Sequence, residues 1–181
     1  LEQCRRVKKA TQKALETDAF PLILSGDHSS ALGSLAGIKS AYPEKTLGAI
    51  WIDAHADLHT PLSTPSGNVH GMPLAAALGQ DNRAYQINKV TEDTLADWEQ
   101  MKSLGTVSPI LQPEHLIYFG VRDTEREEDE IMREKGIRNY PVHEIRQRGL
   151  SHSVEEALQQ LEAVDLLYLT FDVDALDCDL I

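Results

Sequence analysis

Three times along this chain a short apolar run of strand character stops in a cluster of Asp and His. Phe20-Pro-Leu-Ile-Leu-Ser25 meets Gly26-Asp27-His28-Ser29, Leu47-Gly-Ala-Ile-Trp-Ile52 meets Asp53-Ala-His-Ala-Asp57, and Asp165-Leu-Leu-Tyr-Leu-Thr-Phe171 meets Asp172-Val-Asp174. Runs this short, without polar alternation, suit strands buried on both faces, as parallel strands are. Stretches of helical spacing separate them and no hairpin turn does. That alternation implies βαβ units: an α/β fold, a mostly parallel central sheet flanked by helices in three layers. In such sheets ligands bind outside the carboxyl ends of the strands, which is where all three clusters fall.

The remaining segments fit the same plan. Residues 1–18 have roughly helical spacing, with Cys4, Val7, Ala14 and Leu15 as inward positions. Ser29 to Ala36 reads as a helix with a hydroxyl residue for its cap. Pro73 to Leu78 reads as a helix with Pro in its first turn and Gly79 behind it. Residues 80–112 are polar, with one helix from Thr91 to about Lys102 around Leu95, Trp98 and Met101, and read as a surface excursion. Further strands are expected at His115–Val121 and Ile137–Tyr140. Glu125–Lys135 and Ser153–Glu162 complete the helices, the latter capped by Ser151 or Ser153. The chain shows no internal repeat, low-complexity tract or linker, so 1–181 reads as one domain. The last strand and its acidic tail stop at Ile181, where a parallel sheet would ordinarily continue; the expectation is a domain incomplete at both ends.

A net charge of -12 argues against nucleic acid, whose phosphates need Lys and Arg. It suits bound cations or a cationic substrate, and it equally suits simple solubility. No apolar run approaches membrane-spanning length, and no signal segment is visible, so no membrane partner is expected. Two cysteines, Cys4 and Cys178, give no disulfide framework, which makes a reducing cytoplasmic setting the default.

The chemistry lies in His28, Asp53, His55, Asp57, Asp172 and Asp174. Side chains two apart share a face of an extended segment, so Asp53, His55 and Asp57 can converge if the chain stays extended past the strand. Taken singly, an Asp or His at a strand end also serves as a helix cap or a loop hydrogen-bonder. Together the six carry four negative charges, which two divalent cations would balance; close carboxylates could not all stay ionised otherwise. Mixed carboxylate and imidazole ligands suit Mn²⁺, Fe²⁺ or Zn²⁺ better than Mg²⁺ or Ca²⁺. A metal pair about 3.5 Å apart can supply hydroxide at neutral pH, so the set predicts hydrolysis. His70, just beyond the loop Thr60-Pro-Leu-Ser-Thr-Pro-Ser-Gly-Asn68, can shuttle a proton or simply fix the loop. His115, His143 and His152 have no converging partners and read as structural or surface residues. Arg122 to Glu130 reads mostly as a solvated helix face.

Gly26-Asp27-His28-Ser29, Asp53-Ala-His-Ala-Asp57 and Phe171-Asp-Val-Asp174 resemble the three metal-binding motifs of the ureohydrolases, in order and at similar separations over nearly the whole chain. The loop from Thr60 to Gly71 is similar to the arginase loop. The resemblance implies a binuclear manganese site with two Mn²⁺ per chain. His28, Asp53, Asp57 and Asp172 would hold one ion, and Asp53, His55, Asp172 and Asp174 the other, with Asp53 and Asp172 bridging. It further implies Thr64, Ser66 and Asn68 as a clamp for an α-carboxylate, which neutral donors suit. His70 and Asp57 would be catalytic residues. The implied reaction is hydrolysis of L-arginine to ornithine and urea through a metal-bridging hydroxide, in a trimer or hexamer.

The chain departs from the arginase pattern at several positions. His59 stands where an Asn usually contacts the carboxylate, and Glu125 where an Asp usually contacts the α-amino group. Glu128 matches a second acidic position there. Ser25 replaces a common Gly, and Cys178 a usual Pro. His59, Thr64, Ser66, Asn68, Glu125 and Glu128 are thus the candidate substrate contacts. The family's guanidinium-binding Glu lies beyond the last motif. Two other readings stay open: another ureohydrolase of agmatinase or formimidoylglutamase type, and a non-catalytic metal-binding fragment of the fold.

Overall fold

Leu47–Ile52 forms β1, and both of its edges are taken. β2 (Leu116–Phe119) pairs with it on one side and β4 (Leu166–Phe171) on the other, all parallel. β3 (Arg138–Tyr140) pairs with β2, giving the order β3-β2-β1-β4. This computed structural model describes residues 1–17 and 19–176. Cys178, singled out in the sequence, lies outside the described residues.

The register sets the functional geometry. Ile52 is level with Phe119 of β2 and with Phe171 of β4. The residues that follow, Asp53, Gly120 and Asp172, therefore leave the sheet side by side. Backbone bonds continue the ladder one step further: Asp53 N–H donates to Phe119 O at 3.1 Å, and Asp172 N–H to Ile52 O at 2.9 Å. Neighbouring strands lie about 4.8 Å apart, which is close enough for side chains at adjacent strand ends to share one ion.

The chain forms two compact units, Leu1–Glu44 with Asp57–Ile110, and Lys45–Ala56 with Leu111–Ile181. The sheet belongs to the second. Ile50, Ile117, Phe119 and Tyr140 on one sheet face pack with Ala157 and Leu161. Those two come from, and just after, α7 (Leu150–Gln160), while Ile145 of α6 (Val142–Arg148) joins the cluster's margin. The rings of Phe119 and Tyr140 stack at 4.8 Å. Burying each such aliphatic or aromatic side chain contributes about 1.5–3 kcal/mol. α5 (Arg126–Lys135) buries Ile131 and ends at Gly136, whose φ of 66° is a conformation that favours glycine.

In the first unit, α1 (Glu2–Leu15) lies on α2 (Ala31–Ala41). Gly33 and Gly37, one turn apart, make that approach possible: a Cβ on Gly33 would stand 2.5 Å from Cys4 O, and one on Gly37 2.7 Å from Lys8 O. α3 (Pro73–Ala77) is buried throughout, and α4 (Glu92–Lys102) buries Trp98 and Met101. Thr91 caps α4 by accepting from Thr94 N–H.

Five expectations change. Residues 20–25 form no strand, and Phe20, Leu22 and Leu24 are 80–93% exposed. An apolar run becomes a strand only when another strand pairs with it; none of the described strands pairs with 20–25, and Pro21 offers no N–H. The N-cap of α2 is Ser30, a hydroxyl residue as expected, but its side chain makes no capping bond; the Asp27 carboxylate instead caps the 3₁₀ turn just before α2 by accepting from Ser29 N–H. α6 fills a stretch with no expected helix. α7 starts at Leu150, with Ser153 inside it donating to Gly149 O, so neither Ser151 nor Ser153 is its cap. At the amino terminus, Thr11 is buried with Cys4, whereas Val7, Ala14 and Leu15 are only half-buried.

Candidate metal centre

The stretch after β1 does not stay extended. Asp53 Oδ1 accepts from His55 N–H at 2.8 Å, closing a tight Asx turn. Ala54 O accepts from the N–H groups of Arg122 and Asp123 at 2.8 and 2.9 Å, and Tyr118 Oη donates to Ala56 O at 2.6 Å. Asp57 then takes a left-handed φ of 53°, which Asp tolerates better than most residues. The three ligand candidates are thus aimed by a turn and not by strand alternation.

Within the sheet unit, Asp53, His55 and Asp174 each offer a ligand atom within 4.8 Å of the others. His55 Nδ1 is 3.1 Å from Asp174 Oδ2 and 3.5 Å from Asp53 Oδ1. Asp53 is fully buried, and its Oδ2 accepts from Trp51 Nε1–H at 3.0 Å. Asp174 Oδ1 accepts from Ala54 N–H at 3.2 Å, which ties β4's end to β1's end. Asp172 Oδ1 in turn accepts from Asp174 N–H at 3.1 Å. Burial pushes the Asp174 carboxyl above the usual range; the Ala54 N–H and His55 oppose this, while the charges of Asp53 and Asp172 add to it. An imidazole among crowded carboxylates, each oriented by a backbone or indole donor, is a donor set that fits a divalent cation.

The first unit carries the other candidates. His28 lies in a 3₁₀ turn, His28–Ser30, and its Nδ1 is 3.2 Å from Asp57 Oδ2, both groups largely buried. Ser25, at the departure from the family pattern, donates to Asp27 O at 2.8 Å and so shapes this turn. The Ser29 hydrogen bonds hold the Asp27 carboxyl below the usual range, with His70 and His28 contributing further. Of the three motifs, two therefore leave real strands and one leaves an irregular segment.

The hydroxyl loop is in the first unit as well. His59 is buried, donates its N–H to Gly71 O at 2.9 Å, and has Nδ1 3.4 Å from Ser63 Oγ. Thr64 is buried and its Oγ1 accepts from Gly67 N–H at 3.0 Å, so its own hydrogen can be donated. Ser66 and Asn68 are exposed, with Asn68 N–H bonded to Ser66 Oγ at 3.2 Å. His70 is exposed in the 3₁₀ turn Val69–Gly71. Glu125 and Glu128, in the sheet unit, form a capping box at the start of α5, with Glu128 buried and its Oε2 accepting from Glu125 N–H at 3.3 Å.

Three contributors escaped the sequence reading. Asp123 Oδ2 lies 3.6 Å from His55 Nε2. Arg122 donates to Asp174 O at 2.9 Å and Leu176 O at 3.2 Å, fixing the backbone of the last motif. Trp51 orients Asp53. Gly120-Val-Arg-Asp123 is itself a strand end, and the carboxyl-end rule applied to β2 points to it.

A parallel α/β chain with carboxylate and imidazole groups gathered at adjacent strand ends offers a donor set that fits a divalent cation. The family model for the arginase family matches residues 1–181, and the chain belongs to that family. The arginase of Bacillus caldovelox is 38% identical over 177 residues, which is 97% of this chain and 53% of that protein. Its solved structure superposes with a TM-score of 0.81. An Entamoeba histolytica arginase solved in complex with L-ornithine is 27% identical, covers 98% of this chain and 55% of its own, and has a TM-score of 0.83. Formimidoylglutamase from Bacillus subtilis, at 21% identity, 97% and 46% coverage and a TM-score of 0.73, shares the fold. The chain spans about half the length of the curated relatives it matches.

Proposed function

We propose that the full-length protein is a manganese-dependent arginase that hydrolyses L-arginine to ornithine and urea. The observation that carries this reading is the grouping of Asp53, His55 and Asp174 at the aligned carboxyl ends of β1 and β4, in a chain of the arginase family. By the family resemblance, His28, Asp57 and Asp172 would join them in holding two Mn²⁺ ions. When bound, such ions balance the carboxylates and make hydroxide available at neutral pH.

The chain's own residues do the rest. Thr64, Ser66 and Asn68 present neutral donors to the α-carboxylate, and His59 stands at the rim of that loop. L-Ornithine, bound in the Entamoeba arginase, carries the same α-carboxylate and α-amino group as L-arginine. Glu125 and Glu128 supply negative charge for the α-amino group. Water adds to the guanidinium carbon as it gives up a proton to the Asp57 carboxylate, the bond from that carbon to the substrate's Nε breaks, and His70 delivers the proton that this nitrogen needs to leave as an amine. Asp57 holds its carboxylate beside His28 and steers the attacking oxygen.

Turnover by the full-length protein loaded with Mn²⁺ tests this reading, with urea release from L-arginine and from agmatine and formamide release from formimidoylglutamate compared side by side. L-Arginine is expected to be the best substrate. Preference for either of the others moves the protein elsewhere among the ureohydrolases, and no turnover of any of them overturns the enzymatic reading.

A further inference from the structure

The loop from Leu58 to Thr64 has almost no regular structure, yet its conformation is fully specified. Thr64 and Ser63 both donate their N–H groups to Thr60 O, at 2.9 and 3.1 Å, which curls the chain, and the carbonyls of Pro61, Leu62 and Thr64 accept from the segment ending at Asn88. All three carbonyls are met by one residue. Asn88 Nδ2 donates to Pro61 O at 3.1 Å and to Thr64 O at 2.6 Å, and Asn88 N–H donates to Leu62 O at 3.0 Å. A side-chain amide has two hydrogens, and here both are spent on this loop.

The surrounding segment completes the brace. Asn82, in a left-handed conformation with φ of 54°, donates through Nδ2 to Leu58 O at 2.7 Å, and Thr60 Oγ1 donates to Asp81 O at 2.9 Å. The Asp81 carboxylate is itself anchored, by Lys102 Nζ, by Trp98 Nε1–H at 3.2 Å and by Arg83 Nε–H at 3.2 Å. Residues 81–88 are therefore a template, fastened to α4, on which the loop is cast.

We propose that Asn88 is a positioning residue for substrate recognition: by holding the carbonyls of Pro61 and Thr64 it fixes the loop from which Thr64 presents its hydroxyl to the substrate carboxylate. This rests on the proposed carboxylate clamp. Asn is required because the site needs two N–H donors on a short stem. A carboxylate of the same shape would set negative oxygen against two carbonyls, and a buried carbonyl without a donor costs free energy.

The test uses the full-length protein with Mn²⁺ and three variants, Asn88→Asp, Asn88→Ala and Thr64→Val. Both Asn88 variants are expected to raise KM for L-arginine about tenfold or more, with kcat within about threefold and Mn²⁺ content unchanged. The alanine variant adds no charge and keeps the question answerable if the aspartate variant does not fold. If Thr64→Val raises KM and neither Asn88 variant does, the positioning role falls and the clamp stands. If none of the three raises KM, the clamp falls and the inference with it. A parallel loss of kcat and Mn²⁺ in the Asn88 variants makes Asn88 a general structural residue and overturns the proposal.

Discussion

The strand-end cluster and the hydroxyl loop are held in place by different means. Asp53, Asp172 and Asp174 inherit their positions from sheet register, and their carboxylates are trimmed by nearby donors: His55 N–H, Ala54 N–H, Asp174 N–H and the Trp51 indole. The loop from Leu58 to Thr64 has no ladder to inherit from. It is shaped by side chains more than twenty residues further on, Asn82 and Asn88, and by Thr60 reaching to Asp81. The first arrangement distributes its support over many backbone bonds, so a single substitution rarely dismantles it. The second concentrates support in a few amides. Chemistry common to a fold can rest on the sheet, while recognition of one substrate can be retuned by changing a brace.

This contrast can be broken at either end. Trp51→Phe removes the indole donor to Asp53 while keeping a buried ring. Because outer partners of metal ligands typically matter 10–100-fold, Mn²⁺ affinity is expected to fall about tenfold with KM for L-arginine little changed. Titration of the metal-free protein measures it. An effect on KM of the size expected for the Asn88 variants would erase the distinction between the two regions.

A smaller effect is expected outside both. Arg138 and Arg148 hold the Glu144 carboxyl down at about 2, from an ordinary 4.5. A depressed folded-state value stabilises the protein above the unfolded value, and the contribution is lost as pH falls from about 4.5 towards 2. Glu144→Gln is expected to lower stability at neutral pH by about 1 kcal/mol or less, since such pairs are near the surface. The difference from wild type should shrink through that acidic window, and denaturant unfolding at several pH values follows it. Activity at neutral pH should be unaffected.

The same contrast explains what the sequence disclosed. β1, β2 and β4 were legible because an uninterrupted apolar run such as Leu47–Ile52 has few other uses, and α4 because Thr91 and the spacing of Trp98 and Met101 mark a helix. Asp53, His55, Asp172 and Asp174 stood out as ligand candidates because their clusters follow such runs, whereas His28 follows a segment that forms no strand and Asp57 lies beyond a turn. Residues 20–25 misled, since apolar character does not say whether another strand will pair with the run. The Asx turn at Asp53 and the left-handed Asp57 were hidden because they depend on partners at Ala54, Tyr118 and Arg122. The role of residues 81–88 was hidden most completely: nothing local in Asn88 says which carbonyls it will meet. A stretch whose polarity suggests a surface excursion is the loop's scaffold.

If the clustered Asp and His residues serve one two-metal centre built around Asp53, metal content must follow that residue's charge. Equilibrium dialysis of the full-length protein against Mn²⁺, followed by metal analysis, addresses this directly. Two ions per chain are predicted for wild type and fewer than one for Asp53→Asn, in which the shared ligand keeps its shape and loses its charge. One ion or none in wild type, or two in the variant, would contradict it.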